Sequence, residues 1–385
     1  MPKWFCLFWV AAAAGLAQTP SAVRQEGGWW VQSVAGVLKT ASGGALEVET
    51  LGPVTLRGGA HRQVSYTLRK RVKASSEEEA RKRLNEVVLK TVSAPVSRIQ
   101  VQGPLRRPPS VELEIAAPSG LSRCLVRTRW GDVDVSGVDG RLEVATAAGA
   151  VKADRIGRGL VARSGGGDIE IGSVDGPVHA ASAGGAVRVG RAAGETRIET
   201  GGGELEAREV GGRLIAITTG GNITAGSVAG GVTAQTAGGS IGIGRAGGPV
   251  VAQTSGGAIT VGSAQDVRCE STAGAIRLRG VSGALRASTS AGSIFAELAA
   301  ARLADSILST SGGDVMVWIP SNVAVTVRAQ NESSGRSAKI VSEFPEISVR
   351  PAAIHLSVAE GSLNGGGPLL TISTSNGDIY LRRQK

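Results

Sequence analysis

The segment Gly242–Gly247, GIGRAG, has the G-x-G-x-x-G spacing with which many proteins bind a dinucleotide. It lies beside the alternating apolar residues Ile241 and Ile243, as a phosphate-binding loop lies beside its strand. In a Rossmann unit a helix follows this turn, and an acidic residue about twenty positions later binds the ribose. No helical pattern follows here, and the nearest acidic residue, Asp266, belongs to a later turn. We therefore predict no nucleotide and no other cofactor.

Other residues that could carry catalysis or bind a metal are sparse. The histidines His61, His179 and His355 are far apart, and none is at metal-ligand spacing from a cysteine or another histidine. The chain contains no G-x-S-x-G, no H-E-x-x-H and no P-loop lysine. Aromatic and basic residues do not alternate along the chain, so no platform for stacking nucleic-acid bases is predicted. These observations predict a protein that is not an enzyme and has neither a metal site nor a nucleic-acid partner.

An internal repeat organises the chain, in which 57 of 385 residues are glycine. One marker glycine recurs at constant steps of 18 residues, then at steps of 17, 18 and 21, with a last copy in TSNGDI. The markers are Gly131, Gly149, Gly167, Gly185, Gly203, Gly221, Gly239, Gly257, Gly274, Gly292, Gly313 and Gly377. Such a period predicts a solenoid, in which each repeat stacks on its neighbours.

Each repeat has the pattern of two short strands. Apolar residues stand two and four positions after the marker, as at Ile169 and Ile171, and seven and five before the next, as at Leu214 and Ala216. This period of two predicts half-buried strands, and the corner glycines are expected to supply positive φ. We predict an all-β protein with a parallel β-helix, or β-solenoid, of 18-residue coils. The pattern leaves open its handedness and whether it has two or three faces.

A hydroxyl residue stands three positions before every marker: Thr128, Thr146, Ser164, Ser182, Thr200, Thr218, Thr236, Thr254, Ser271, Thr289, Thr310 and Thr374. These positions alternate in phase with the inward-facing apolar residues of the strand, so the hydroxyls are expected to point inward. This favours hydrogen bonds to a neighbouring coil or to the corner backbone. No base accompanies any one of them, so no nucleophile is predicted. Cys124 and Cys269 also occupy inward positions. They are about eight coils, roughly 38 Å, apart at the usual strand spacing, which predicts two buried thiols and not a disulfide.

Outward positions carry charge. Three residues after the marker, successive repeats have Asp134, Lys152, Glu170, Arg188 and Glu206. Stacked coils would place opposite charges side by side and so favour the correct register, whereas clustered carboxylates would suit an enzyme that acts on polysaccharide. The net charge of +10 comes from scattered Arg and Lys residues. It predicts either simple solubility or contact with anionic envelope polymers.

The flanking regions depart from the repeat. Residues 1–17 predict a secretory signal peptide, and no later segment is apolar enough to span a membrane. Residues 18–120 predict an N-terminal cap of strands and one helix over 76–92 that docks on the first coil, with Ser75 or Ser76 as its N-cap. Within this region, residues 42–56 look like one detached coil. Residues 121–316 predict the coils, and residues 317–385 predict longer strands and a closing coil.

Three sequence features together resemble a known family. They are the TSGG-x-I-type coils of an exported chain, the EFP segment at 343–345, and the closing motifs LNGGG (363–367) and TSNGDI (374–379). Over about residues 120–385 the chain is similar to the putative-adhesin family of bacterial β-strand-repeat proteins. The segment YTLRKRVKASSEEEAR (66–81), which precedes the repeats, also resembles the corresponding part of family members. The resemblance implies a β-helical protein of the cell envelope and supplies no catalytic residues.

We therefore expect a non-enzymatic, exported cell-envelope protein that presents an adhesin-like binding surface. It would lie in the periplasm, at the cell surface or outside the cell, with an envelope glycan or a surface protein as partner. The binding residues and the oligomeric state stay open. Two alternatives remain, a β-helix enzyme that acts on polysaccharide and a structural or stress-sensing envelope protein. The uninterrupted coils from Gly131 to Gly257 disfavour the enzyme, because no long loops build the walls of a cleft.

Overall fold

The computed structural model describes residues 19–384, except residues 42, 94–95, 105, 300–302 and 334–338. The predicted signal peptide lies outside the described residues. The chain is divided into two compact units, of which the first ends at Arg158 and the second begins at Gly159. Nearly all of the regular structure in both units is β-strand, which confirms the predicted fold class. The boundaries predicted near residues 120 and 316 stay predictions.

The described residues of the first unit form thirteen strands and one helix. The strands are β1 (Thr19–Pro20), β2 (Arg24–Glu26), β3 (Trp29–Leu38), β4 (Ala45–Thr50), β5 (Val54–Gly59), β6 (Val64–Val72), β7 (Val88–Val92), β8 (Val96–Gln102), β9 (Ser110–Pro118), β10 (Arg123–Thr128), β11 (Val133–Val138), β12 (Arg141–Thr146) and β13 (Val151–Ile156), and the helix is α1 (Glu77–Asn85). One sheet contains β1–β3, β5, β6, β9, β11 and β13, and the other contains β4, β7, β8, β10 and β12.

The coils of the first unit do not stack in chain order. Strands β4 and β5 form one coil, which confirms the detached coil predicted over 42–56. On one side these strands pair in parallel with β10 and β11, and on the other side with β8 and β9. The chain therefore leaves the stack after β5 and returns as β8 and β9 on the outer side of that coil. Strands β6 and β7 then pair antiparallel with β9 and β8.

The helix predicted over 76–92 is wrong in its second half, because α1 ends at Asn85 and Val88–Val92 is strand β7. The start is as predicted: the Ser76 hydroxyl accepts from the Glu79 N–H at 3.2 Å. At the other end the buried Lys70 Nζ donates to the carbonyl oxygens of Leu84 (3.3 Å) and Val87 (2.7 Å). The Leu84 carbonyl also accepts from the Val87 N–H at 3.2 Å, so Lys70 supplies a further, charged donor at the helix C-terminus. Burial lowers the pKa of Lys70.

The cap on the end coil is made by strands, which corrects the predicted role of the helix. Ala80 and Leu84 of α1 pack against Val72 of β6 and Trp30 of β3, two strands that pair antiparallel. The edges of β8 and β9 are instead covered by β7 and β6. A strand can hydrogen-bond the exposed N–H and C=O groups of an edge, whereas the backbone of a helix is already paired.

The described residues of the second unit form the remaining strands. They are β14 (Gly159–Ser164), β15 (Ile169–Val174), β16 (Val178–Ser182), β17 (Val187–Ala192), β18 (Thr196–Thr200), β19 (Leu205–Val210), β20 (Leu214–Thr218), β21 (Ile223–Val228), β22 (Val232–Thr236), β23 (Ile241–Ala246), β24 (Val250–Thr254), β25 (Ile259–Ser263), β26 (Val267–Ser271), β27 (Ile276–Val281), β28 (Leu285–Thr289), β29 (Ile294–Leu298), β30 (Ser306–Thr310), β31 (Val315–Pro320), β32 (Val325–Glu332), β33 (Ile340–Ser342), β34 (Ile347–Ala353), β35 (Leu356–Leu363), β36 (Leu369–Thr374) and β37 (Ile379–Gln384). Each coil consists of two strands that belong to two different sheets, so the solenoid of this unit has two faces.

Regular stacking in the second unit runs from β14 and β15 to β30 and β31 with parallel pairing, and the register shifts between Leu278 and Val281 where β27 pairs with β29. The closing coil, β36 and β37, then stacks directly on β30 and β31. The segment between them in the chain lies outside this coil: β32 and β33 pair in parallel with β36 and β37. Strands β35 and β34 extend the edge of β32 as antiparallel neighbours. The predicted closing coil is therefore present, but it is not the last layer of the stack.

The core consists of the apolar positions that the repeat predicts. In the coil around Gly239, for example, Val232, Ala234, Ile241 and Ile243 are all at most 2% exposed. Because each layer contributes only Val, Ile, Leu or Ala here, burial is spread over many small side chains and no large aromatic residue is needed.

Most marker glycines are required for a reason other than the predicted positive φ. Only Gly131 and Gly313 have φ in the left-handed range, at 137° and 152°. For nine other markers an added Cβ would overlap the backbone of the marker in the preceding coil: Gly149, Gly185, Gly203, Gly221, Gly239, Gly257, Gly274, Gly292 and Gly377. The corner backbones approach too closely for any side chain, so glycine is needed for stacking.

Candidate binding surfaces

The predicted hydroxyl ladder is structural. Thr236 is typical: its Oγ1 donates to the carbonyl oxygen of Gly221 in the preceding coil at 2.9 Å and accepts from the N–H of Gly239 at 3.2 Å. The same pair of bonds recurs at Thr200 and Thr254. Each of these three hydroxyls thus joins two coils and satisfies the corner backbone, and both of its hydrogen-bonding functions are occupied.

Both cysteines are buried and unbonded, as predicted. Burial raises the pKa of the Cys124 thiol to about 12, and burial together with Glu270 raises the pKa of Cys269. A thiol with a raised pKa is a poor nucleophile and a poor metal ligand near neutral pH. Both residues therefore act as small core side chains.

The histidines lie in separate places, as their spacing suggests. His61 and His355 are exposed, and His179 is half-buried on the outward side of β16, next to Arg197 of β18. Among the described residues, no group of three or more His, Cys, Asp or Glu side chains is arranged to hold a metal ion.

The predicted charge ladder has the expected register inside each unit. Asp134 lies opposite Lys152, and Arg188 lies between Glu170 and Glu206. Close contacts are weaker than the register suggests, because Arg188 Nε is 4.0 Å from Glu206 Oε2. Lys152, Glu170 and Arg188 are exposed, and Asp134 and Glu206 are half-buried. Solvent-exposed ion pairs contribute about 0–1 kcal/mol each. The ladder therefore assists register and does not form a catalytic carboxylate cluster.

A polar groove of about 580 Å³ crosses five coils of the second unit, from β20 to β28. Its centre is an amide ladder that no sequence motif predicted: Gln235 Nε2 donates to Gln253 Oε1 at 3.0 Å, and Gln253 Nε2 donates to Glu270 Oε2 at 3.1 Å. Arg268 Nε donates to the other oxygen of Glu270 at 2.8 Å. Hydroxyl residues, including Ser255, line the adjoining edge. The sequence signal was the run of outward Gln and Ser residues at constant positions in successive coils.

Basic and aromatic side chains meet in space although they do not alternate in the sequence, and the prediction that no platform for stacking nucleic-acid bases exists stays a prediction. In the first unit Lys73 Nζ lies 4.9 Å from the centre of the Trp29 ring, and Arg129 lies 5.6 Å from that of Trp130. In the second unit Arg277 lies 5.2 Å from the centre of the Phe295 ring. Distances below about 6 Å are favourable for cation–π attraction.

Three of the aromatic residues lie on one outward face near the end of the second unit. Phe295, Met316 and Tyr380 occupy neighbouring strands in direct register, and Trp318 lies beside them. All four are half-buried.

Comparisons with known proteins give a limited result. No protein-family model and no curated protein matches the chain. Among solved structures, a putative cell adhesion protein from Clostridium sporogenes is similar at 8% identity and a TM-score of 0.18, with 96% of this chain and 100% of that chain covered. A putative adhesin from Bacteroides fragilis is similar at 12% identity and a TM-score of 0.33, with 64% and 96% covered. Likenesses this distant carry no argument about what the chain binds.

In the part of the chain that the structure describes, the helix is too short and too polar to cross a membrane.

Proposed function

We propose that the protein is an exported, adhesin-like protein of the cell envelope, and that it binds uncharged glycan in the polar groove without cleaving it. The observation that carries this proposal is the ladder of Gln235, Gln253 and Glu270. Each glutamine amide has two N–H donors and a carbonyl acceptor, and the ladder uses one donor of each. Hydrogen-bonding groups are therefore presented at the spacing of stacked strands, about 4.8 Å, which suits a polymer with a repeated pattern of hydroxyl groups.

The chemistry of the groove supports binding in preference to hydrolysis. Glycoside hydrolases use two carboxyl groups across the scissile bond, about 5–10 Å apart. The described residues that line this groove include one carboxylate, Glu270, and it is held by Arg268 and Gln253.

The test is to incubate the full chain with an array of envelope glycans and to measure both retention and the appearance of new reducing or unsaturated ends. Retention without new ends is expected, and Gln253→Ala should reduce it because an amide at the centre of the groove is lost. Gln330→Ala is the matched control, since Gln330 is exposed on β32 and outside the groove. New ends would overturn the non-enzymatic function, and equal retention by both variants would remove the groove as its site.

A further inference from the structure

A second candidate site lies in the first unit and is independent of the groove. It is a cleft of about 350 Å³ where the corner between β4 and β5 meets α1 and the start of β3. Trp29 and Trp130 line it, and Pro53 and Pro108 contribute to its wall. We call it the tryptophan cleft. Its volume is at the lower end of the range for ligand pockets, about 300–1,000 Å³, so it admits a short segment of a polymer.

The two tryptophans are not needed for the core. Trp29 is 37% exposed and Trp130 is 44% exposed, and they are the only aromatic side chains in that class among the described residues. The neighbouring Trp30 shows the contrast, because it packs against Val72 and Leu84 and its Nε1 donates to the Ala74 carbonyl at 3.2 Å. Exposed indole rings that line one concave surface are typical of a binding site.

The cleft is cationic. Its charged lining residues are Arg71, Lys73 and Arg83, and no carboxylate lines it in the described part of the chain. Arg83 is held in place, since its Nη1 donates to the Lys73 carbonyl at 2.8 Å and its Nη2 to the Arg107 carbonyl at 3.4 Å. Lys73 Nζ stays close to the Trp29 ring. Glu79 is close enough to Arg83 for electrostatic attraction but does not line the cleft. The excess of positive charge in the lining favours an anionic ligand.

The combination selects one class of ligand. A planar indole packs against the C–H face of a pyranose ring, and guanidinium and ammonium groups bind carboxylate or sulfate. A single-stranded nucleic acid would instead be stacked along a groove with successive aromatic platforms. The geometry points to a segment of acidic polysaccharide, with its rings against Trp29 and Trp130 and its anionic groups held by Arg71, Lys73 and Arg83.

The experiment is isothermal titration calorimetry, in which the full chain is titrated with oligogalacturonate and, separately, with the methyl ester of the same oligosaccharide. Binding of the acid form is expected, at least about tenfold tighter than that of the ester. It should weaken as sodium chloride is added, because ions screen exposed charges. Trp130→Ala should weaken binding by about tenfold through lost stacking. Equal affinity for acid and ester would overturn the inference.

Matched variants separate the cleft from general basic charge. Lys73→Gln removes one charge from the cleft and should weaken binding, whereas Lys90→Gln removes an exposed charge of the same unit outside it and should not. Both side chains are exposed, so both variants should fold, which circular dichroism verifies. Equal effects of the two substitutions would overturn a defined site. Equally tight binding of poly-glutamate or of oligo-dT, in competition with the oligosaccharide, would overturn the carbohydrate class. Gln253→Ala should leave this binding unchanged, so failure here is distinct from failure of the groove.

Discussion

The hydroxyl ladder ends differently in the two units. In the first unit it ends at Thr50, which is buried and whose Oγ1 has no hydrogen-bond partner among the described residues. In the second unit it ends at Asn331, which lies opposite Thr374 and whose Nδ2 donates to the carbonyl oxygens of Gly377 at 2.8 Å and Lys339 at 2.9 Å. The Thr50 hydroxyl therefore lacks an acceptor, whereas the Gly377 carbonyl has a donor in Asn331, whose own Oδ1 is buried without a partner among the described residues.

The difference follows from the direction of the ladder. Where a ladder hydroxyl donates, its acceptor is the marker carbonyl of the preceding coil, as Thr128 donates to Gly52 at 2.7 Å and Thr374 to Gly313 at 3.0 Å. One end of such a series therefore needs an acceptor and the other needs a donor. Asn331 supplies the donor. At Thr50 the corner to Gly52 is one residue shorter than the usual three, and no acceptor lies next to the hydroxyl.

The largest effect is expected inside the ladder, from Gly239→Ala. The added Cβ would overlap the Gly221 carbonyl, which is backbone and cannot rotate away, so the two coils must separate. A loss of about 3 kcal/mol or more is expected. The measurement is native-state hydrogen exchange, which reports the opening free energy of these coils. Gly242→Ala is the control, because nothing lies within 4 Å of its added Cβ. Similar losses for both would show that close stacking does not require the marker glycines.

A smaller effect is expected from Asn331→Ala, at the end of the ladder in the second unit. Removing the amide leaves the Gly377 and Lys339 carbonyls without this donor in a region where Asn331 is fully buried. A loss of about 2 kcal/mol is expected, from the cost of unsatisfied buried groups. It would appear as faster exchange in β36 and β37, with the first coils of the unit unchanged. Exchange rates that stay at the wild-type level in these strands would refute the capping role.

The smallest change in the free energy of unfolding, and one of opposite sign, is expected from Thr50→Val, at the end of the ladder in the first unit. The substitution removes a buried hydroxyl that has no partner, so stability should stay the same or rise by about 0.5–1 kcal/mol. Thr128→Val in the next coil should instead cost about 1–2 kcal/mol, since it breaks the bond to Gly52. Urea unfolding of both variants tests the pair. A comparable loss in each would mean that the two hydroxyls are equivalent.

The repeat could be predicted from the sequence because its physical causes are local and periodic. Alternation at positions such as Ile169 and Ile171 defines the inward side of a strand, and the parity of Thr236 places its hydroxyl inside. The end of α1 could not be predicted. The valines Val87, Val88 and Val92 continue a helical stripe, yet pairing of β7 with β8 takes Val88 and Val92 into a strand. Tertiary pairing overrides local propensity there.

The tryptophan cleft could not be predicted from the sequence either. Trp29, Lys73, Arg83 and Trp130 are distant in the chain, and no spacing rule connects them. They meet because the chain inserts the coil of β4 and β5 between two later coils, which places the corner at Gly52 between Val111 and Gly131. A coil that stacked in chain order would not gather these side chains.

By itself the sequence determined the coil: two short strands, small inward side chains, an internal hydroxyl and a corner where only glycine fits. These features recur every 18 residues and depend on neighbours that every coil possesses. Only the tertiary structure decided the order of the terminal coils, the two ends of the ladder and the surfaces that could bind a ligand. Those depend on which edge strand finds which partner, and every coil edge presents the same backbone groups. The choice among them rests on contacts between residues far apart in the chain.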